Sequence, residues 1–96
     1  MDPRIREHAG IVADHSADIE AGDRVVISAP AAAEDLVVAL HEECADRGAH
    51  PVSLNSDSRA TRAFLRNHDG DFETPEHLLA TYEEMDGSIA VRGDVD

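Results

Sequence analysis

The fold is decided by residues 24–54, which read RVVISAPAAAEDLVVALHEECADRGAHPVSL. The β-branched run from Arg24 to Ala29 predicts a strand that is buried on both faces. Pro30 ends this strand, and apolar residues then recur at helical spacing as far as Gly48, which is placed to cap the helix. Residues 51–54 predict a second strand, because proline is tolerated where a strand begins. The unit therefore predicts two parallel strands joined by a right-handed crossover.

One helix is predicted before this unit. Asp2 and Pro3 together are typical of a helix start, and apolar side chains recur at helical spacing over residues 3–19. Gly22 and Asp23 end the helix and lead into the first strand.

Two helices and a third strand are predicted after the unit. Ser56 or Asp57 can cap a helix that runs through Arg66, and residues 74–76 (Thr-Pro-Glu) begin another. A last strand is predicted over residues 88–92. The side chains expected to face inward are Ala60, Ala63 and Phe64 in the first of these helices, and Leu78, Leu79, Tyr82 and Met85 in the second.

The predicted fold class is α/β. We expect a three-layer open sheet of three mainly parallel strands with about four helices, which is half of a doubly wound fold. The 96 residues fit a single α/β domain spanning residues 1–96. Three short strands make a small sheet, so we expect the edge of the third strand to be covered by another chain or by further polypeptide.

Charge is the most unusual property of the composition. The chain has 21 Asp and Glu, eight arginines and no lysine, which gives a formal net charge of -13. Screening extends over about 8–10 Å at ordinary ionic strength and about 3 Å at molar salt. Arginine also pairs bidentately with carboxylates. The composition therefore favours a protein of a salt-loving organism over an ordinary acidic protein that lost its lysines by chance.

The same charge argues against nucleic acid as a partner, since phosphate binding needs a basic field. The one local basic cluster contains Arg59, Arg62 and Arg66. We interpret it as a solvated helix face that pairs with neighbouring acids.

The predicted location is cytoplasmic. The single cysteine, Cys44, cannot form an internal disulfide, which indicates a reducing compartment. Residues 1–4 are charged and no apolar run follows them, so no signal peptide is predicted. No apolar stretch approaches the roughly 18 residues of a membrane span, and no membrane partner is expected.

Candidate metal ligands are few. His41 and Cys44 lie three residues apart on one predicted helix, but a zinc site needs at least a third ligand. We favour a partly exposed histidine and a core cysteine, and keep a metal-binding protein built on this pair as an alternative. Four further histidines are interpreted as solvated (His8 and His15) or isolated (His50 and His77).

No other motif predicts a reaction centre. Residues 28–35 form the turn where an α/β sheet would bind phosphate, but they lack the glycine fingerprint, and Glu34 and Asp35 would repel a nucleotide. Residues 67–73 suggest a calcium loop only superficially, because the EF-hand order is missing. No serine lies in a nucleophile elbow. We therefore assign no catalytic, cofactor-binding or metal-binding residue.

Four segments nevertheless occur in a distinctive order. They are residues 19–27 (IEAGDRVVI), the helix through Leu36 and Val37, residues 47–52 (RGAHPV) and residues 89–92 (IAVR). This order resembles the N-terminal domain of the thermophilic-type metalloaminopeptidases, which include aminopeptidase T, aminopeptidase S and archaeal leucyl aminopeptidases. The resemblance spans essentially the whole chain.

The resemblance implies a two-domain, usually dimeric exopeptidase that removes N-terminal residues from peptides. Two divalent metal ions, zinc or cobalt, would be bound in a later catalytic domain, and no position of this chain matches their ligands. We therefore predict a non-catalytic N-terminal domain of a halophilic metal-dependent aminopeptidase, inactive by itself. Its partners would be the catalytic C-terminal domain or a second subunit, and peptide substrate would be met only through the parent. The alternative is a free-standing small α/β partner-binding module without enzymatic activity.

Overall fold

A computed structural model describes residues 2–16, 18–70 and 73–91 of the chain. Residue 92, the predicted end of the last strand, and the residues after it lie outside the described residues. The elements, in chain order, are α1 (Pro3–Ile11) continued by a π-helical turn (Val12–Ser16), β1 (Arg24–Ala29), a 3-10 turn (Ala31–Ala33), α2 (Glu34–Arg47), β2 (His50–Asn55), α3 (Ser58–Asn67), α4 (Glu76–Glu84) and β3 (Gly87–Ala90).

The three strands form one parallel sheet in the order β2-β1-β3. The central strand pairs Val26 with Val52 on one side and Ile27 with Ile89 on the other. The backbone N–H of Val91 donates to the carbonyl oxygen of Ser28 at 2.7 Å, just beyond β3. The predicted α/β class with a parallel sheet and four helices is therefore confirmed.

The first helix begins as predicted and ends earlier. Asp2 is its N-cap and accepts a hydrogen bond from the backbone N–H of Arg4 at 2.9 Å, with Pro3 at the first helical position. The predicted end at residue 19 is wrong, because Asp18 has a left-handed φ of 48° that no continuous α-helix contains. Ile19 is still buried, so the chain beyond the helix turns its apolar residue inward.

Two local predictions about helix ends are confirmed. Gly48 caps α2 in the left-handed conformation at φ 76°, where glycine carries no Cβ penalty. Asp57 caps α3, and its carboxylate accepts hydrogen bonds from the backbone N–H groups of Arg59 and Ala60.

The core lies where α1 and α2 pack over one face of the sheet. Val25 and Ile27 of β1 meet Leu40 and Cys44 of α2, and all four side chains are less than 2 % exposed. Small residues such as Ala9 and Ala39 let α1 approach α2 closely. The rest of the cluster consists of Ala9, Ala13, Ile19, Ala39, Ala49 and Ile89.

The last two helices contribute no fully buried residue. The inward orientation predicted for Ala60, Ala63 and Phe64 is wrong, since all three are exposed and Phe64 is 54 % exposed. The buried side predicted for α4 forms only in part. Leu78 and Met85 are half-buried, whereas Leu79 and Tyr82 are exposed.

The reason is geometric. Three strands spaced about 4.8 Å apart make a sheet roughly one helix diameter wide. Each face of the sheet therefore has room for few helices. The Cα radius of gyration is 14.9 Å, whereas a compact domain of this length has one of about 12–13 Å. An apolar stripe predicts which side chains share a face, but burial also needs an element opposite that face.

Candidate functional site

The turn at the carboxyl end of β1 is the first candidate, because open α/β sheets bind ligands there. Pro30, Glu34, Ser53 and Asn55 help to line a shallow cleft of about 300 Å³ at this point. Glu34 lies in the first turn of α2. A carboxylate thus stands at the positive end of the helix dipole, where a phosphate would have to bind. The geometry opposes a nucleotide at this turn.

His41 and Cys44 are not arranged as metal ligands. Cys44 is completely buried in the core, and burial raises the pKa of its thiol. A metal ligand needs the thiolate, which burial disfavours. The Nδ1–H of His41 donates to the carbonyl oxygen of Val37 at 2.9 Å, which ties the ring to its own helix. Cys44 therefore acts as a small apolar core residue.

Four further histidines are exposed and lie on different elements. His8 belongs to α1 and His15 to the π-helical turn that follows, and both are exposed. His50 is exposed in β2 and His77 is exposed in α4. Across residues 2–16, 18–70 and 73–91, no three His, Cys, Asp or Glu side chains are grouped to hold a metal ion.

The segment that superficially suggested a calcium loop is only partly described. The side-chain amide of Asn67 donates to the carbonyl oxygen of Ala63 at 2.8 Å and so belongs to the end of α3. Gly70 turns the chain at φ 111°. Residues 71 and 72 lie outside the described residues.

The arginines divide into two groups. Those on the α1, α2 and β1 side of the molecule each have a carboxylate partner: Arg4 with Asp2 at 3.1 Å, Arg6 with Glu42 at 3.5 Å, Arg24 with Asp86 at 3.1 Å and Arg47 with Glu43 at 3.3 Å. Arg59, Arg62 and Arg66 of α3 are exposed, and no ion pair within the described part of the chain includes them. The predicted solvated helix face is therefore confirmed, whereas the predicted pairing with neighbouring acids is wrong.

An apolar surface accompanies the unpaired arginines. Two large apolar side chains of α3 are exposed, Phe64 by 54 % and Leu65 by 50 %. The ring of Phe64 stacks on His68, with centroids 5.0 Å apart. Exposed apolar groups that lie together on a surface indicate an interaction site more often than scattered ones do.

An apolar groove of about 340 Å³ runs between α4 and the sheet. It is lined by residues that include Val26, Val52, Thr81 and Met85, and its floor is the sheet face opposite α2. Since Val26 alternates with the core residues of β1, it points to this second face. The groove is shallow and its surface is mostly apolar, although Arg24, His50 and Glu84 stand at its edges, so it offers contact area rather than chemistry.

The exposed surface on α3 was missed because its residues carry an ordinary amphipathic pattern. The number of elements was the available signal, because a three-stranded sheet has too little area on its two faces to bury four helices.

Comparison with known proteins places the chain in one family. A family model described as thermophilic metalloprotease (M29) matches residues 1–95. No curated protein matches the chain. Among the described helices, none combines the length and the apolar character needed to cross a membrane.

Proposed function

The chain belongs to the thermophilic metalloprotease family M29, and on this premise we propose that it is a non-catalytic N-terminal domain of a metal-dependent aminopeptidase. The parent would remove N-terminal residues from peptides. This chain would pack against the catalytic domain and help to shape access to the active site. By itself it would have no peptidase activity.

The observation that carries the proposal is the combination of the family match with the exposed apolar surface. The match covers residues 1–95, so it includes every described element. The same folded chain leaves Phe64, Leu65, Leu79 and Tyr82 more than 40 % exposed. Burying such side chains against a neighbouring domain lowers the free energy, because it removes apolar surface from water.

The two divalent ions implied by the family do not fit the described residues. The thiol of Cys44 is buried with a raised pKa, and His41 is held by a backbone carbonyl. The chain thus offers no donor set for zinc or cobalt in its described part. In our proposal the metal ligands belong to the catalytic domain, and no catalytic step passes through this chain.

We further propose that the parent is a cytoplasmic protein of a salt-loving organism. The support is the net charge of -13 without any lysine. Two arginines also bind two carboxylates each: Arg24 contacts Glu84 and Asp86, and Arg47 contacts Asp14 and Glu43. Guanidinium groups that bridge carboxylates reduce self-repulsion without adding a strongly hydrated ammonium group.

The second candidate is a free-standing module that binds a partner through the edge of β3. This strand pairs with β1 on one side, and no strand of the described chain pairs with its other side. An open strand edge can accept a further strand from another protein.

Reading the gene beyond the codon for Asp96 separates the two candidates. The proposed function predicts an open reading frame that continues into a domain rich in His, Asp and Glu ligands. A stop codon directly after Asp96 would contradict it and favour the free-standing module.

A further inference from the structure

Within the described part of this strongly acidic chain, helix α3 is where the arginines form no ion pair. Carboxylates outnumber arginines 21 to eight, so an exposed arginine should find an acidic neighbour readily. Arg4, Arg6, Arg24 and Arg47 all do. Within the described residues, Arg59, Arg62 and Arg66 form no ion pair, although the Asp57 carboxylate at the start of α3 accepts a hydrogen bond from the backbone N–H of Arg59 at 2.9 Å.

The two sides of α3 carry different chemistry. Arg59, Arg62 and Arg66 are spaced three and four residues apart, which places them along one side of the helix. Ala60 and Phe64 lie on the opposite side by the same periodicity. All of these residues are exposed, so the helix presents both its basic and its apolar side outward.

Leu65 adds to this surface where α3 approaches the sheet. It is 50 % exposed and lines a cleft of about 550 Å³ together with Pro30, Arg62 and the N-cap residue Asp57. An arginine and a leucine therefore face the same open space. Arginine and aromatic residues such as Phe64 are enriched at the centre of protein interfaces.

We propose that α3 is the surface through which this domain docks onto the catalytic domain of its parent, and that the partner forms a groove with carboxylates on the side of the arginines and apolar groups on the side of Phe64. This inference rests on the proposed function and specifies which face performs the packing. The unpaired guanidinium groups set the chemistry of the partner, because only acidic groups would neutralise them.

Charge complementarity argues against two other arrangements, a symmetric α3–α3 pair and a complex with a polyanion. A second copy of this chain that paired α3 with α3 would bring like charges together, which is unfavourable. A polyanion such as RNA would meet the arginines but also the field of a chain with net charge -13.

Hydrogen exchange measured on two proteins tests the proposal: the 96-residue chain and the complete polypeptide that contains it. We expect backbone amides of α3 to exchange at least about tenfold more slowly in the complete polypeptide, because docking suppresses local opening. Amides of α1 serve as the internal control and should exchange equally in both.

Substitutions in the complete polypeptide identify the groups responsible. Phe64→Ala, and separately the combination of Arg59→Gln, Arg62→Gln and Arg66→Gln, should return α3 exchange towards the rate in the isolated chain. The matched controls are Ile11→Ala, which removes an apolar group 53 % exposed on α1, and Arg4→Gln. The arginine effect should weaken in about 1 M KCl, where screening acts over roughly 3 Å, and the Phe64 effect should persist.

The outcomes separate this inference from the proposed function. Metal-dependent peptidase activity in the complete polypeptide with equal α3 exchange in both proteins overturns the docking surface and leaves the function standing. Failure to find such activity, or such a polypeptide, overturns both. Binding of single-stranded RNA by the isolated chain that the triple arginine variant loses would also overturn the inference, in favour of a polyanion surface.

Discussion

Asp86 clamps the first residue of the central strand. Its Oδ2 accepts hydrogen bonds from the backbone N–H of Arg24 at 2.8 Å and from the Nε of the same residue at 3.1 Å, across 62 positions of sequence. Glu84 accepts from Nη1 of Arg24 at 3.0 Å. The start of β1 is thereby joined to the turn that leads from α4 into β3.

This contact predicts a specific loss of stability in acid. The side-chain and backbone hydrogen bonds from Arg24 lower the pKa of Asp86. A carboxyl group with a lowered pKa in the folded state stabilises the protein above its ordinary pKa of about 4, and the stabilisation is lost as the pH falls through the lowered value. Asp86→Asn should therefore be less stable than the wild-type chain near neutral pH, and the difference should shrink below about pH 4.

Urea unfolding over a series of pH values measures this difference. Glu83→Gln is the control, since it removes a neighbouring exposed carboxylate of α4 outside the clamp. An Asp86→Asn difference that stays constant with pH would show that the clamp does not depend on the charge of Asp86.

Replacing Gly48 by alanine should destabilise the fold through backbone strain, without any steric overlap. A Cβ at this position would lie 3.5 Å from the Cβ of Ala21, an ordinary contact, but φ is 76°. Gly48→Ala should therefore cost about 1–2 kcal/mol, the free energy of holding an L-residue in the left-handed region. Gly48→Asn should recover part of this loss.

Gly87→Ala is the matched control for Gly48, because no atom lies within 4 Å of the added Cβ and its φ is not in the left-handed region. Denaturant melts of both variants give the comparison. Equal stability of Gly48→Ala and the wild-type chain would contradict the assigned cap.

Cys44 should react with thiol reagents only when the chain unfolds. Its side chain is 0 % exposed and burial raises the pKa of the thiol, so both access and thiolate are lacking in the folded state. The rate of reaction with a chromogenic disulfide should rise in parallel with the unfolded fraction in urea. Ser53→Cys in a Cys44→Ala background is the positive control, because residue 53 is exposed and should react at once.

Zinc affinity should be the same for the wild-type chain and for Cys44→Ala. The physical reason is that His41 already donates to a backbone carbonyl and Cys44 faces the core. Calorimetric titration measures both proteins. A saturable site that disappears in Cys44→Ala would revive the metal-binding alternative.

The core on one side of the sheet predicts unequal costs for two substitutions on neighbouring strands. Ile27 is 0 % exposed, and Ile27→Ala should cost about 2–5 kcal/mol, much of the stability of so small a domain. Val52 is 56 % exposed, and Val52→Ala should stay within about 0.5 kcal/mol. Chemical unfolding of the isolated chain gives both values, and similar costs would show that Val52 is packed as tightly as Ile27.

Salt should stabilise the chain strongly. With a net charge of -13, self-repulsion is screened as KCl rises from dilute to molar concentration. A gain of about 1 kcal/mol would raise Tm by roughly 4–8 °C in a domain of this size. Thermal melts across a KCl series that show no rise would contradict the halophilic proposal.

Elements with a local physical cause could be predicted from the sequence. The strand from Arg24 to Ala29 has the predicted bounds because its β-branched run ends at Pro30. Asp57 caps its helix because its carboxylate accepts hydrogen bonds from backbone N–H groups two and three residues later. Gly48 caps its helix because glycine adopts the left-handed conformation that ends it. In these cases the information lies within one turn or one strand.

The surface of α3 could not be predicted in the same way. The pattern around Phe64 is amphipathic whether or not another element lies opposite, so periodicity alone placed it in the core. The ion pair between Arg24 and Asp86 was equally invisible, because it joins positions 62 residues apart. Both features depend on how elements assemble in three dimensions.

The central claim is that this chain is a non-catalytic domain of a metalloaminopeptidase, and one assay tests it most directly. The purified 96-residue chain is incubated with Co²⁺ or Zn²⁺ and a leucyl chromogenic substrate, in dilute and in molar KCl. We predict hydrolysis no faster than with the metal ion and buffer alone. Robust turnover that requires both the chain and the metal would contradict the claim.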